Sequence, residues 1–305
     1  MKSVLPDLII GGPTASGKTA VALAVAEACG GEIIGADAFQ LYRGLPILTA
    51  QPTPEESLRI PHHIIGEFDL RHSLDVTVYL QTVRDKIREI RARDRIPILV
   101  GGTGLYIRTV LFGLAEGLPS PDPALRQELE SRPLASLQQQ LRELDPQAGR
   151  EVDLRNPRRV VRALEVCLQT GQPFSSFRHN RTWDGPPAGI WLARPRPELH
   201  SRIEVRTARM FEDGVEMEVR NALPGIGVTA SQVIGLKPII EQIEGRFTQK
   251  ETVAAIAQAT RQYAKRQETW FRKEPSLTPT SAEEAVRAAL AIIRGLGGKE
   301  RHGSE

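Results

Sequence analysis

Two short segments carry residues whose types and spacing suit chemistry on a phosphate compound. Gly12-Pro13-Thr14-Ala15-Ser16-Gly17-Lys18-Thr19 fits the pattern G-x-x-x-x-G-K-[ST]. Glycines let such a loop close around an anion with successive N–H groups pointing inward. A helix opening at the end of the loop adds the positive end of its dipole. Lys18 supplies a mobile charge, and the Thr19 hydroxyl is placed to ligate Mg²⁺. The second segment begins at Asp37, the only acid that ends a core-strand pattern. A carboxylate beside a phosphate site can hold Mg²⁺ through water or act as a general base; capping a turn is the plainer alternative. Nucleotide kinases and ATPases usually add a Walker-B acid after an apolar strand. Here the apolar run Ile96 to Val100 leads into Gly101-Gly102-Thr103-Gly104, which has no carboxylate. The loop therefore implies a bound phosphate without saying which one.

These residues need a scaffold. Asp7 to Gly11 is a short apolar run ending in glycines, Lys18 opens a helical pattern stopped by Gly30-Gly31, and Glu32 to Asp37 reads as the next strand. A strand, helix and strand of these lengths form a βαβ unit and hence a parallel sheet. Adjacent parallel strands end on the same face, which brings Asp37 beside the phosphate loop. Tyr79, Val83, Ile87 and Ile90 share a helical face ahead of the strand Ile96 to Val100, and Ile190 to Ala193 reads as a fourth strand. The predicted fold is an α/β parallel sheet of the P-loop NTPase type, with a helical insertion and a helical C-terminal part. Residues 1–112 with 188–296 form the predicted core, 113–187 the insertion, and 297–305 a polar, disordered tail.

Composition sets wide limits. At 40% hydrophobic and 25% charged, the 305-residue chain is ordinary for a globular protein with a real core. A net charge of +3 permits a nucleic-acid partner without requiring one. Cys29 and Cys167 are too few and too far apart for a disulfide framework or a CxxC zinc site. No apolar run is long enough to span a membrane, and a strand pattern begins too early to leave room for a signal peptide. The expectation is a cytoplasmic protein.

The motifs, taken in order, resemble the tRNA dimethylallyltransferase (isopentenyltransferase) family of bacterial type. Besides the phosphate loop, the matching segments are Asp37 to Gly44, Pro61-His62-His63, Ile98 to Tyr106, Arg162 to Glu165, Thr170 to Pro173 and Thr260 to Arg272. The resemblance implies transfer of a dimethylallyl group from dimethylallyl diphosphate to N6 of the adenosine 3′ of the anticodon. The substrates would be tRNAs reading codons that begin with U. It implies that Gly12, Pro13, Thr14, Ala15, Ser16, Gly17, Lys18 and Thr19 hold the diphosphate together with Arg202 and Arg206, and that Mg²⁺ sits at Thr19. Asp37 would accept the amine proton and Thr14 orient the reacting groups. The target base would be flipped into a channel. It would be received there by Asp37, Ala38, Phe39, Gln40, Thr103, Arg126 and the run Arg158, Arg159, Val160, Val161 and Arg162. Lys265, Arg266 and Arg272 would contact the anticodon stem. The enzyme is expected to act as a monomer.

Several positions depart from the family pattern. Ala38 and Phe39 replace a serine and a methionine; Pro46, Leu48 and Gln51 stand where Asp, Gly and Lys are usual. Arg158 replaces a glutamine and Leu236 a tyrosine. Plainer readings also stand beside the sharper ones. His62-His63 has no third metal ligand at a suitable spacing, and adjacent strand residues point to opposite faces. Tyr263, Arg266 and Trp270 lie near one helical face, which fits a packed helix as well as a basic stripe along RNA. A small-molecule kinase and an RNA-binding NTPase are the rival functions, and both predict ATP turnover.

Overall fold

A computed structural model describes residues 4–300 apart from 73, 116, 178–182 and 184, and the backbone alone from 296 onward. The chain forms two compact units, Met1–Leu111 with Trp183–Glu305, and Phe112–Thr182.

The first unit is built on six parallel strands: β1 (Leu8–Gly11), β2 (Gly31–Gly35), β3 (His62–His63), β4 (Ile96–Gly101), β5 (Gly189–Leu192) and β6 (Leu277–Thr280). Their order across the sheet is β3-β2-β4-β1-β5-β6. Ile9 pairs with Leu99, Ile34 with Leu99, and Ile10 with Ile190, so the central strands are near-continuous apolar runs buried on both faces. On one face, α1 (Lys18–Cys29) packs with the C-terminal helix over Leu8, Ile10, Ile33, Ile98 and Ile190. Two short helices, α2 (Pro46–Thr49) and α3 (Pro54–Arg59), precede α4 (Val76–Ala92), which the Asp75 carboxylate caps. The buried face of α4 is the predicted one, and the Tyr79 hydroxyl donates to the Gly35 carbonyl (2.9 Å) while its ring stacks on Tyr106 of α5 (Gly104–Phe112).

The second unit is helical: α6 (Pro123–Glu130), α7 (Leu134–Leu144), α8 (Ala148–Glu151) and α9 (Pro157–Thr170) around Leu129, Leu137, Leu141 and Leu164. The chain then returns through β5 to α10 (Arg196–Glu212), α11 (Val215–Ala222), α12 (Leu236–Ile243), α13 (Gln249–Phe271), β6 and α14 (Ala285–Glu300). A capping box between Thr248 and Glu251 starts the 23-residue α13.

Three features differ from the sequence reading. β6 is an additional strand; with Pro279 inside it, it occupies a sheet edge, where a missing donor is tolerated. The two-residue β3 also joins the sheet, beyond β2. Residues 297–300 of the expected tail belong to α14, which is helical through Glu300: each added residue contributes a hydrogen bond to a helix already nucleated against α1. Positions 301–305 of that tail lie outside the described residues.

Candidate active site

The phosphate loop runs from the end of β1 to the start of α1. Gly12 (φ 144°), Ala15 (φ 63°) and Gly17 (φ 97°) all have positive φ, the backbone alternation that turns N–H groups toward a shared concavity. Three guanidinium groups hold the loop from outside. Arg194, just past β5, donates to the Ser16 carbonyl (2.6 Å); Arg202 on α10 donates to the Ala15 carbonyl (2.7 Å); Arg206, one turn on, donates to the Thr14 hydroxyl (3.0 Å). Two of the loop's amides are also used within the protein, the Ser16 N–H donating to the Pro13 carbonyl (3.2 Å) and the Thr14 N–H to Gln267 (2.8 Å). Arg202 and Arg206, the two arginines singled out in the sequence, thus lie against the phosphate loop together with Arg194, which was not singled out.

The cavity is positively charged and only partly satisfied. Lys18 is half-buried as a residue, with its ammonium deep in the protein and donating to the Pro13 carbonyl (2.8 Å). Burial, with Arg206 acting in the same direction and Asp37 against it, brings its pKa down to about 8. Burial also lowers the pKa of Arg206, and Asp37 opposes this. The Arg206 Nε and the Ser16 hydroxyl are buried with no hydrogen-bond partner. Orphaned buried donors cost free energy, and a bound oxyanion would satisfy them. Among the described residues, no group of three or more His, Cys, Asp or Glu side chains could hold a metal ion. Mg²⁺ usually takes one or two protein oxygens plus substrate phosphates. The Thr19 hydroxyl and the Asp37 carboxylate are oxygen donors of that kind, so the residues fit such an ion.

Asp37 follows β2. Its Oδ1 accepts from the Phe39 N–H (3.1 Å), the only hydrogen bond to its carboxylate among those described. Its negative charge is felt by Lys18 and Arg206, and also by Tyr263 of α13, whose phenol is pushed up chiefly by burial. The Thr103 hydroxyl accepts from the Ala38 N–H (3.0 Å) and its own N–H donates to Ala36 (3.1 Å), so Thr103 fixes the Asp37 turn. The Gln40 carboxamide donates to the Thr49 and Ala50 carbonyls (3.2 and 2.6 Å).

Gln267 of α13 unites these parts. Its Oε1 accepts from the Thr14 N–H (2.8 Å), and its Nε2 donates to the Gly102 carbonyl (3.0 Å). A Cβ at position 102 would lie 2.2 Å from the Gln267 Nε2, so any larger residue there would push Gln267 out of this arrangement. Phosphate loop, β4 loop and α13 are thereby joined through one buried side chain. A pocket of mixed polarity opens beside Thr14, Asp37 and Arg206, with Leu48, Met210, Val233, Ile234 and Ile256 forming one apolar wall and Phe39, Thr49, Thr260 and Tyr263 also lining it. A hydrocarbon group would lie against that wall with its reactive end toward the charged residues.

Sequence reasoning found the loop, Asp37 and the two arginines but not Arg194, Gln267 or the apolar wall. The wall comes from four separate segments and has no local pattern. Gln267 lies in the Thr260 to Arg272 stretch, so the motif marked its neighbourhood without its role.

The residues expected at RNA divide. Val160 and Val161 of α9 are 0% and 2% exposed in the core of the helical unit, so their side chains cannot touch RNA; they form the apolar face of an amphipathic helix. Arg126 and Arg162 both pair with Glu165 (2.7 and 2.8 Å), a fully buried carboxylate that also accepts from the Asp122 N–H. Burial alone would raise the pKa of Glu165, but the hydrogen bonds from Arg162 and Arg126 outweigh it and hold the group below its ordinary value. The first duty of these arginines is therefore to neutralise a buried charge. Arg158 and Arg159 are exposed. On α13, Lys265 and Arg266 are exposed, with the Arg266 guanidinium 5.6 Å from the Tyr263 ring centre. Arg272 pairs with the buried Glu268, which Arg196 also holds (3.0 Å). Trp270 packs on Gly104, and Phe271 stacks on Trp191. His63 pairs with Glu32 (2.7 Å) and His62 with the Ile60 carbonyl (2.8 Å), a structural use of both rings.

Known proteins resemble this one along nearly the whole chain. A family model described as IPP transferase matches residues 40–274, and one described as isopentenyl transferase matches residues 7–66. The chain is 39% identical over 293 residues to a tRNA dimethylallyltransferase of Bifidobacterium longum, covering 92% of this chain and 89% of that protein. It is 40% identical over 289 residues to one of Streptomyces coelicolor, covering 92% and 91%. A solved tRNA isopentenylpyrophosphate transferase from Bacillus halodurans superposes with a TM-score of 0.69 at 32% identity, covering 97% of this chain and 99% of that one. A eukaryotic dimethylallyltransferase shares the fold with a TM-score of 0.75 at 24% identity, covering 96% and 78%. This protein is a transferase and belongs to the IPP transferase family, with the bacterial tRNA dimethylallyltransferases.

Proposed function

We propose that the protein transfers the dimethylallyl group of dimethylallyl diphosphate to N6 of the adenosine 3′ of the anticodon, in tRNAs reading codons that begin with U. The products are N6-isopentenyladenosine and diphosphate. One observation carries the reading: a wall of aliphatic side chains meets Asp37, Thr14 and Arg206, whose Nε is buried without a hydrogen-bond partner, in a single pocket. An allylic diphosphate has that same polarity, five carbons at one end and an oxyanion at the other.

Dimethylallyl diphosphate binds with its phosphates in the loop, held by the amides, Lys18 and Arg206. In the reaction the C–O bond to diphosphate breaks and a C–N bond to the amine forms. Lys18 and Arg206 offset charge accumulating on the leaving oxygen, fixed in place before it develops. Mg²⁺ held by Thr19, directly or through water with Asp37, would add to that neutralisation. Asp37 takes the proton that the amine must lose, and Thr14, tethered by Arg206 and Gln267, orients the reacting groups. The aliphatic wall keeps water, the competing nucleophile, from the allylic carbon. Exposed Arg158 and Arg159 on α9, and Lys265 and Arg266 on α13, offer charge to RNA phosphates. The enzyme works as a monomer in the cytoplasm; among the described residues no helix is long and apolar enough to cross a membrane.

Incubation with labelled dimethylallyl diphosphate and unmodified tRNA should yield labelled tRNA and free diphosphate, while ATP in its place should not be hydrolysed. Consumption of ATP with no label in tRNA would replace this reading with a kinase or NTPase activity.

A further inference from the structure

The short helix α2 puts one large side chain into the active-site pocket and is fastened on both sides. Leu48 lines the pocket that also contains Thr14, Asp37 and Arg206, yet it is only 4% exposed. Its back rests on packed protein. It belongs to the core cluster of Val233, Leu236, Ile239 and Ile256, and a Cβ built on Gly235 would lie 2.9 Å from its Cδ1. Beyond Leu48 there is core rather than open space.

A four-residue helix is too short to be rigid by itself, and here other elements hold it. Glu218 of α11 spans its first turn, one carboxylate oxygen accepting from the Ile47 N–H (2.7 Å) and the other from the Leu48 N–H (2.8 Å). At the far end the Gln40 carboxamide donates to the carbonyls of Thr49 and Ala50. Glu218 is half-buried, and burial raises its pKa against those two backbone donors. A half-buried carboxylate spent on two amides of one turn is a costly way to hold a surface loop. It is a reasonable way to hold a wall.

Resting on the transferase reading above, we propose that Leu48 sets the length of allylic chain the pocket accepts, confining transfer to five carbons. Glu218 is the positioning residue that keeps Leu48 there. A longer allylic diphosphate would place its extra carbons where the Leu48 isobutyl group and the core behind it already lie.

The test is a competition. Dimethylallyl diphosphate and its ten-carbon homologue, geranyl diphosphate, are offered together with unmodified tRNA, and the two modified adenosines are quantified by mass spectrometry. The product ratio reports the ratio of kcat/KM values and does not depend on how much of a variant is correctly folded. A single methylene in an apolar pocket changes such ratios by roughly 10–200-fold. Leu48→Ala should therefore raise the ten-carbon to five-carbon ratio at least tenfold. Leu48→Met, close in volume, should keep the wild-type ratio. Glu218→Gln, whose amide retains one acceptor oxygen, should shift the ratio the same way by less and leave KM for tRNA unchanged. A wild-type ratio in Leu48→Ala, with five-carbon transfer still measurable, would overturn the role of Leu48. An unmoved ratio in Glu218→Gln would overturn the positioning role. No five-carbon product from the wild-type protein would instead defeat the transferase reading, and this inference with it.

Discussion

Lys18 should leave a visible mark on the pH dependence of catalysis. Its ammonium lies in a dry site beside Arg206, so its pKa falls from an ordinary value near 10.5 to about 8. At 1.36 kcal/mol per unit, that gap is of order 3 kcal/mol against the charged form in the free protein. The sign follows from proton counting. Between about pH 8 and 10.5 the unfolded chain binds a proton that the folded chain has released, so this group raises stability as pH increases through that window. Below pH 8 both states are charged and the full penalty applies. A bound diphosphate reverses the preference, because its negative charges next to Lys18 favour the ammonium. Binding above pH 8 must then take up a proton, and kcat/KM for dimethylallyl diphosphate should fall about tenfold per pH unit from there. The last ionisation of a phosphate ester lies near pH 6, so the ligand itself adds no break in this range. Initial rates at subsaturating diphosphate and saturating tRNA, from pH 7 to 9.5, would show the descending limb. Lys18→Arg should be slower throughout but flat over the same range, because a guanidinium stays charged. A flat wild-type profile to pH 9.5, or an identical break in Lys18→Arg, would refute this account of Lys18.

Further outcomes follow from the same geometry. Asp37→Ala should lower kcat by roughly 10²–10⁴, the usual worth of a general base, with tRNA affinity retained in a filter-binding assay; a loss below tenfold would remove Asp37 from proton transfer. Gln267→Leu would leave the Thr14 N–H and the Gly102 carbonyl without their partner, at about 1–3 kcal/mol each. Because it loosens the loop that aims the diphosphate, kcat should fall on the order of 10²-fold, and a variant that melts lower but turns over normally would make Gln267 purely structural. Lys265→Ala with Arg266→Ala should weaken tRNA binding and reduce the salt slope of log K by roughly 0.7–0.9 for each phosphate no longer neutralised. Arg272 is the poorer choice for that experiment because it neutralises the buried Glu268. An unchanged slope would return α13 to a packing role.

What the sequence determined alone is whatever depends on local backbone chemistry or on one strongly periodic stretch. The phosphate loop is legible because its glycines, lysine and threonine must be contiguous to wrap an anion, and the parallel sheet because its strands, buried on both faces, read as apolar runs. Asp37 was legible through the rule that neighbouring parallel strands end together. Side-chain partnerships across hundreds of residues needed the tertiary structure. No spacing rule links Gln267 to Thr14, 253 positions apart, or sets Glu218 against the turn that carries Leu48. The pocket wall likewise exists only where segments from separate parts of the chain converge. The arginines near Glu165 show the converse: in sequence Arg126 and Arg162 read as charge for RNA, because a one-dimensional pattern cannot show that a carboxylate is buried between them. Burial decides which charges are used inside the protein and which remain for a partner, and burial is a property of the packed chain.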